Sequence, residues 1–145
     1  MSVQDVGVKD ASNVVALPGI EDGAILVEPG EYLARYVRHE RVPMFKTSKL
    51  RVIFRLEDDR PVLLPSWYRV AAGKGGRIAA PAHSDLVREI NAVLGRRVRH
   101  DRIPISDLAG ILVRLEVRTV THDQRQRPLA TVNQYSVIAR LEGRA

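Results

Sequence analysis

Apolar and polar residues alternate most strictly where Leu50, Val52, Phe54 and Leu56 interleave with Lys49, Arg51, Ile53 and Arg55. A period of two sends successive side chains to opposite faces, so this stretch predicts a strand with one core face and one mostly cationic face. Upstream, Glu28-Pro29-Gly30 is a turn signal and Glu31 to His39 reads as a first strand. Tyr32, Ala34 and Tyr36 fall on one side of it and Leu33, Arg35 and Val37 on the other, a mixed pattern that suits a bent or bulged strand. A connection from Glu40 to Ser48 leads into the clear second strand. Asp58-Asp59 makes a hairpin turn into a third, Pro61 to Leu64, which Pro65 ends or kinks before Trp67-Tyr68.

A different period follows. Leu86, Val87, Ile90, Val93 and Leu94 form one helical stripe, with Ser84 or Asp85 able to cap its start and Gly95 placed to stop it. Ahead of it, Ala71 to Ala82 is rich in Gly and Ala and reads as a mobile loop carrying Lys74 and Arg77. Beyond it, Ile111, Val113, Leu115 and Val117 alternate with Arg114, Glu116 and Arg118, a fourth strand over about 111–121. The fifth places Tyr135, Val137, Ala139 and Leu141 on one face and Gln134, Ser136, Ile138 and Arg140 on the other. Five strands with a helix between the third and fourth match the plan of the oligonucleotide/oligosaccharide-binding (OB) barrel. The expected fold is therefore all-β: a five-stranded OB-type barrel with one α-helix and a flexible acidic N-terminal arm.

With 145 residues, 45% of them hydrophobic, the chain suits one domain with an adequate core. The arm is assigned to residues 1–27, polar and broken at Leu17-Pro18-Gly19, and the barrel to 28–145. There is no cysteine, which removes disulfides and thiolate metal sites. No apolar run approaches a membrane span, and the start lacks the features of a signal peptide, so a cytoplasmic protein without membrane contact is expected. The net charge of +6 is unevenly spread. Lys9 is the one base among the first thirty residues, against Asp5, Asp10, Glu21, Asp22 and Glu28, so the folded part is more basic than the whole. That balance favours polyanionic partners, nucleic acid first among them.

Catalytic patterns are poorly supported. His39, His83, His100 and His122 lie in separate segments without metal-ligand spacing, and neither metal nor cofactor is expected. Gly73-Lys74-Gly75-Gly76 lacks the spacing and the following Ser or Thr of a phosphate loop. A cyclic-dinucleotide motif of the PilZ type, Arg-x-x-x-Arg then Asp-x-Ser-x-x-Gly, also fails. Counting back from Gly110 finds Asp107 at the serine position and Ile105 at the aspartate position.

Nucleic-acid binding fits better, because OB barrels bind single strands on strands two and three, between the loops joining strands one to two and four to five. The candidate residues are Arg41, Phe45 and Lys46 in the first loop and Lys49, Arg51 and Arg55 on strand two. Lys74 and Arg77 follow in the Gly-rich loop, and Arg125 and Arg127 in the last loop. Cations would neutralise phosphates while rings stack on bases. Phe45 is the best stacking candidate, with a core plug as its alternative. Either Trp67 or Tyr68 faces outward, since neighbours on a strand point oppositely. Tyr135 is assigned to the core with Val137 and Leu141.

With these strands in place, the chain resembles the small OB-fold single-stranded-DNA-binding proteins of phages, plasmids and integrative elements. The likeness rests on Pro29-Gly30-Glu31-Tyr32-Leu33-Ala34, on Leu50 to Leu56, and on Leu108-Ala109-Gly110 through the Tyr135-Ser136-Val137 strand. It implies a non-catalytic binder of single-stranded nucleic acid, DNA favoured over RNA, used in replication, recombination or transfer of a mobile element. Homo-oligomerisation and contacts with replication, recombination or transfer proteins are compatible with it. The alternative is the same barrel as a protein-interaction adaptor or inhibitor, favoured if Phe45, Trp67 and Ile53 form one apolar patch.

Overall fold

The longest strand, β1 (Gly30–Met44), is hydrogen-bonded along one side to β2 (Thr47–Leu56) and along its first part, on the other side, to β4 (Leu112–Val120). The computed structural model describes residues 25–44, 47–71 and 75–145. β3 (Val62–Val70) pairs with β2, and β5 (Tyr135–Arg144) with β4, giving a single antiparallel sheet in the order β3-β2-β1-β4-β5. Helix α1 (Asp85–Leu94) lies between β3 and β4 in sequence and packs against β5. The all-β architecture with one helix is thus as the sequence predicts. No ladder joins the two edge strands among the described residues, although β3 and β5 approach each other.

Three expectations about the strands need correction. The ladder between β1 and β2 runs to Met44 opposite Thr47, so most of the expected connection over 40–48 is strand. β3 does not stop at Pro65, which sits opposite Ile53 within the ladder. An edge strand tolerates the missing N–H because one of its sides makes no backbone bonds. In β5 the expected alternation fails: Val137, Ile138 and Leu141 are buried, whereas Tyr135 is 39% exposed. Its ladder with β4 slips at Ala139 and again at Glu142, and each extra residue reverses which face the following side chains occupy. Gly143, buried after the second slip, adopts φ 149°, a conformation that side chains rarely permit.

β1 carries the bulge its mixed pattern suggested. Val37 is the extra residue between Tyr36, opposite Phe54, and Arg38, opposite Ile53. Before it Tyr32, Ala34 and Tyr36 turn inward. After it the inward parity passes to His39, Arg41 and Pro43, and Arg38, Glu40 and Val42 face out. The core then fills from β2 (Leu50, Phe54, Leu56), β4 (Leu115) and α1 (Leu86, Ile90), all fully buried. The helix ends as expected. Ser84 Oγ accepts the Val87 N–H at 3.4 Å, and Gly95 stops the last turn at φ 71°.

The folded part begins ahead of residue 28. Ser136 donates its N–H to Ile25 O at 2.7 Å, and the Val27 N–H donates to Ser136 Oγ at 2.9 Å, so Ile25 to Val27 belong to it. Residues 1–24 of the expected arm lie outside the described residues. Among the described residues no helix is long and apolar enough to cross a membrane.

Where β3 and β5 approach, the helix joins them. Glu89 of α1, buried, accepts the Tyr68 hydroxyl of β3 at 2.6 Å and the Leu141 N–H of β5 at 2.9 Å on the same oxygen, Oε1. Burial raises the Glu89 carboxyl above its usual value, partly offset by those two donors. The Tyr68 hydroxyl is pushed well up, first by burial and then by the carboxylate beside it.

Glu89→Ala strands both donors and is expected to cost about 2–4 kcal/mol in urea denaturation. Glu89→Gln keeps the acceptor and removes the charge. Because the folded carboxyl titrates above its unfolded value, its contribution is full below that value and fades as pH rises through the folded one. The Gln variant should therefore gain on the native protein as pH rises above the usual carboxyl value, and a difference that stays constant with pH would contradict the assignment.

Candidate nucleic-acid interface

The outward positions of β1, β2 and β3 form one surface, and cations recur on all three strands. β2 contributes Lys49, Arg51 and Arg55, β3 contributes Trp67 and Arg69, and β1 contributes Arg35 and Arg38. The ladder sets like charges directly opposite one another: Lys49 faces Arg69, and Arg55 faces Arg35. Such cross-strand pairs destabilise a sheet, so folding alone does not favour them. Lys49, Arg55 and Arg69 make no ion pair among the described residues, while Arg35 lies 3.8 Å from Glu57.

Between those pairs runs a row of different character. Arg51 is the register partner of Glu40 on β1 and of Trp67 on β3. Its guanidinium forms an ion pair with Glu40 and sits over the indole, 5.5 Å from the ring centroid. Trp67 remains 42% exposed. Ile53, although it points to this side, is only 6% exposed.

The other expected residues distribute unevenly. Of the Trp67 and Tyr68 choice, Trp67 faces out and Tyr68 is buried with its hydroxyl on Glu89, so Tyr68 is withdrawn from the surface. Arg41 is a strand residue turned inward by the Val37 bulge, not a loop cation. It donates to the carbonyls of Gly75 and Arg77 at 3.0 and 2.6 Å, pinning that loop to β1. Arg77 itself is exposed beside it. Phe45, Lys46 and Lys74 lie outside the described residues. Arg125 and Arg127 occupy a compact turn in which Asp123 Oδ1 accepts both of their backbone N–H groups, at 2.8 and 2.9 Å. Those N–H bonds, that of Arg127 foremost, hold the Asp123 carboxyl below its usual value. The turn follows the end of β4 that pairs with Gly30, whereas Arg41 lies toward the opposite end of β1, so the register separates these two basic groups.

Arg35, Arg38, Arg69 and Glu40 were missed from sequence. A signal for Arg69 was present, since Leu64, Ser66, Tyr68 and Val70 alternate with Trp67 and Arg69 once the strand is carried through Pro65. Arg38 and Glu40 required the bulge, which moves them to the outer face. Beside them His39 turns inward, 2.7 Å from the Tyr36 hydroxyl through Nδ1, and burial lowers its pKa. Among the described residues no three His, Asp or Glu side chains gather as a metal-ligand set. Comparison with protein-family models, curated proteins and solved structures finds no match to this chain.

Replacing one member of a like-charged pair tests what maintains it. Arg69→Glu turns the contact with Lys49 into an attraction and is expected to stabilise the fold by about 0.2–1 kcal/mol in thermal or urea denaturation. Loss of stability instead would mean that Arg69 contributes to folding in its own right.

Proposed function

We propose that this chain is a non-catalytic OB-type barrel that binds single-stranded nucleic acid, DNA in preference to RNA, on the outer face of β1, β2 and β3. The observation that carries the reading is the pair of like-charged cross-strand contacts, Lys49 with Arg69 and Arg55 with Arg35, on either side of an exposed tryptophan. A bound phosphate backbone would relieve that repulsion, and the ring offers stacking that needs no particular base. The strand order supports the barrel. β1 pairs with both β2 and β4, which brings β3 and β5 near each other as in a five-stranded Greek-key barrel. Use in replication, recombination or transfer of a mobile element, in the cytoplasm, remains part of the proposal and rests on the resemblance. The adaptor reading draws less support, because Ile53 is buried and Trp67 is covered in part by a guanidinium.

Fluorescence anisotropy with labelled single-stranded and duplex oligonucleotides across a salt series tests this directly. Single strands should bind more tightly, with log affinity falling linearly in log salt by about 0.7 per phosphate contacted. Trp67 is the sole tryptophan, so its emission should be quenched on binding, and Trp67→Ala should cost about 1–3 kcal/mol of affinity. Equal affinity for both forms would reduce the activity to general polyanion binding, and salt-insensitive binding would remove the electrostatic basis.

A further inference from the structure

Resting on that reading, we infer that Glu40, Arg51 and Trp67 form a platform for an unpaired base, and that Glu40 is the residue that reserves Arg51 for the base instead of a phosphate. The three occupy one row across three strands, since Arg51 is the direct register partner of the other two. Among the outward positions of β1 that pair with β2, Glu40 is the only acid, and β2 and β3 carry none. It meets the most central cation of the face and none of the flanking β2 and β3 ones: Lys49, Arg55 and Arg69 have no acid partner among the described residues.

A carboxylate in that position has two physical consequences. It satisfies the charge of Arg51 in advance, so a phosphate arriving there would have to displace an existing ion pair and meet a negative group. It also holds the guanidinium over the indole, at 5.5 Å from the centroid, where its planar surface extends the ring instead of reaching for the backbone. Guanidinium planes and aromatic rings are both surfaces on which unpaired bases stack. The face is therefore divided. Phosphates go to Lys49 with Arg69 and to Arg55, and a base goes to the row between them. Only a single strand can present its bases this way, so Glu40 acts as a positioning residue for discrimination against duplex.

Salt dependence separates the two kinds of cation. With single-stranded oligonucleotide, Arg55→Ala should flatten the slope by about 0.7, as expected for a lost phosphate contact. Arg51→Met, which keeps the aliphatic stem, should lower affinity severalfold and reduce the quenching of Trp67 while leaving the slope as in the native protein. Glu40→Gln should steepen the slope by about one phosphate contact and reduce the preference for single strand over duplex at least threefold. If Arg51→Met flattens the slope as much as Arg55→Ala, or Glu40→Gln leaves both slope and preference unchanged, the platform is overturned while single-strand binding stands. A native protein that binds no oligonucleotide overturns the proposed function itself.

Discussion

A sheet whose edge strands approach without pairing leaves backbone donors and acceptors at the seam, and here a buried carboxylate on the helix meets them. Glu89 takes a hydroxyl from β3 and an N–H from β5 on one oxygen, so the helix is tied to both edges at the same point. An apolar residue at that position would cover the seam but leave the Leu141 N–H and the Tyr68 hydroxyl without acceptors, and buried polar groups without partners are costly. Placing a charge there is costly too, as the raised carboxyl pKa reflects. The two donors and the carboxylate are mutually dependent, and the curvature that brings β3 toward β5 is held at their meeting point.

That curvature begins in β1. The bulge at Val37 reverses the parity of the strand, so Arg38 and Glu40 reach the outer face while His39 and Arg41 turn inward. One inserted residue thus supplies both an acid for Arg51 and a guanidinium that pins the loop carbonyls of Gly75 and Arg77. The outer face inherits a composition that folding does not favour, with like charges set opposite each other on either side of a cation–π contact. That organisation is what the proposed binding of a single strand would use, since such a ligand is a polyanion that also presents planar groups.

Much of this was legible along the chain. Leu50 to Leu56 announced β2 and its cationic face. Ser84, the apolar stripe and Gly95 bounded the helix, and the uneven pattern over Glu31 to His39 pointed to a bulge. Three places were not legible, each for a long-range reason. Pro65 reads as a strand breaker, but the edge position of β3 leaves its missing N–H without consequence. Glu40 to Met44 reads as a connection, but its backbone finds partners in Thr47 to Arg51. Tyr135 reads as core alongside Leu141, but the slip at Ala139 in the ladder against β4 gives Ile138 the inward parity of Leu141 and leaves Tyr135 exposed.

Local alternation and capping chemistry, which depend on neighbours a few residues apart, determined from sequence alone that this protein is a five-stranded all-β structure with one helix and a basic second strand. Which side chains share a surface was decided only in three dimensions. Bulges and registers are set by pairing between distant strands, and a shift of one residue exchanges the two faces of everything that follows it. Hence Tyr68 went to the seam with Glu89, and Trp67 went to the surface with Arg51. Glu40, with nothing in its local sequence to single it out, became the acid at the centre of the cationic face.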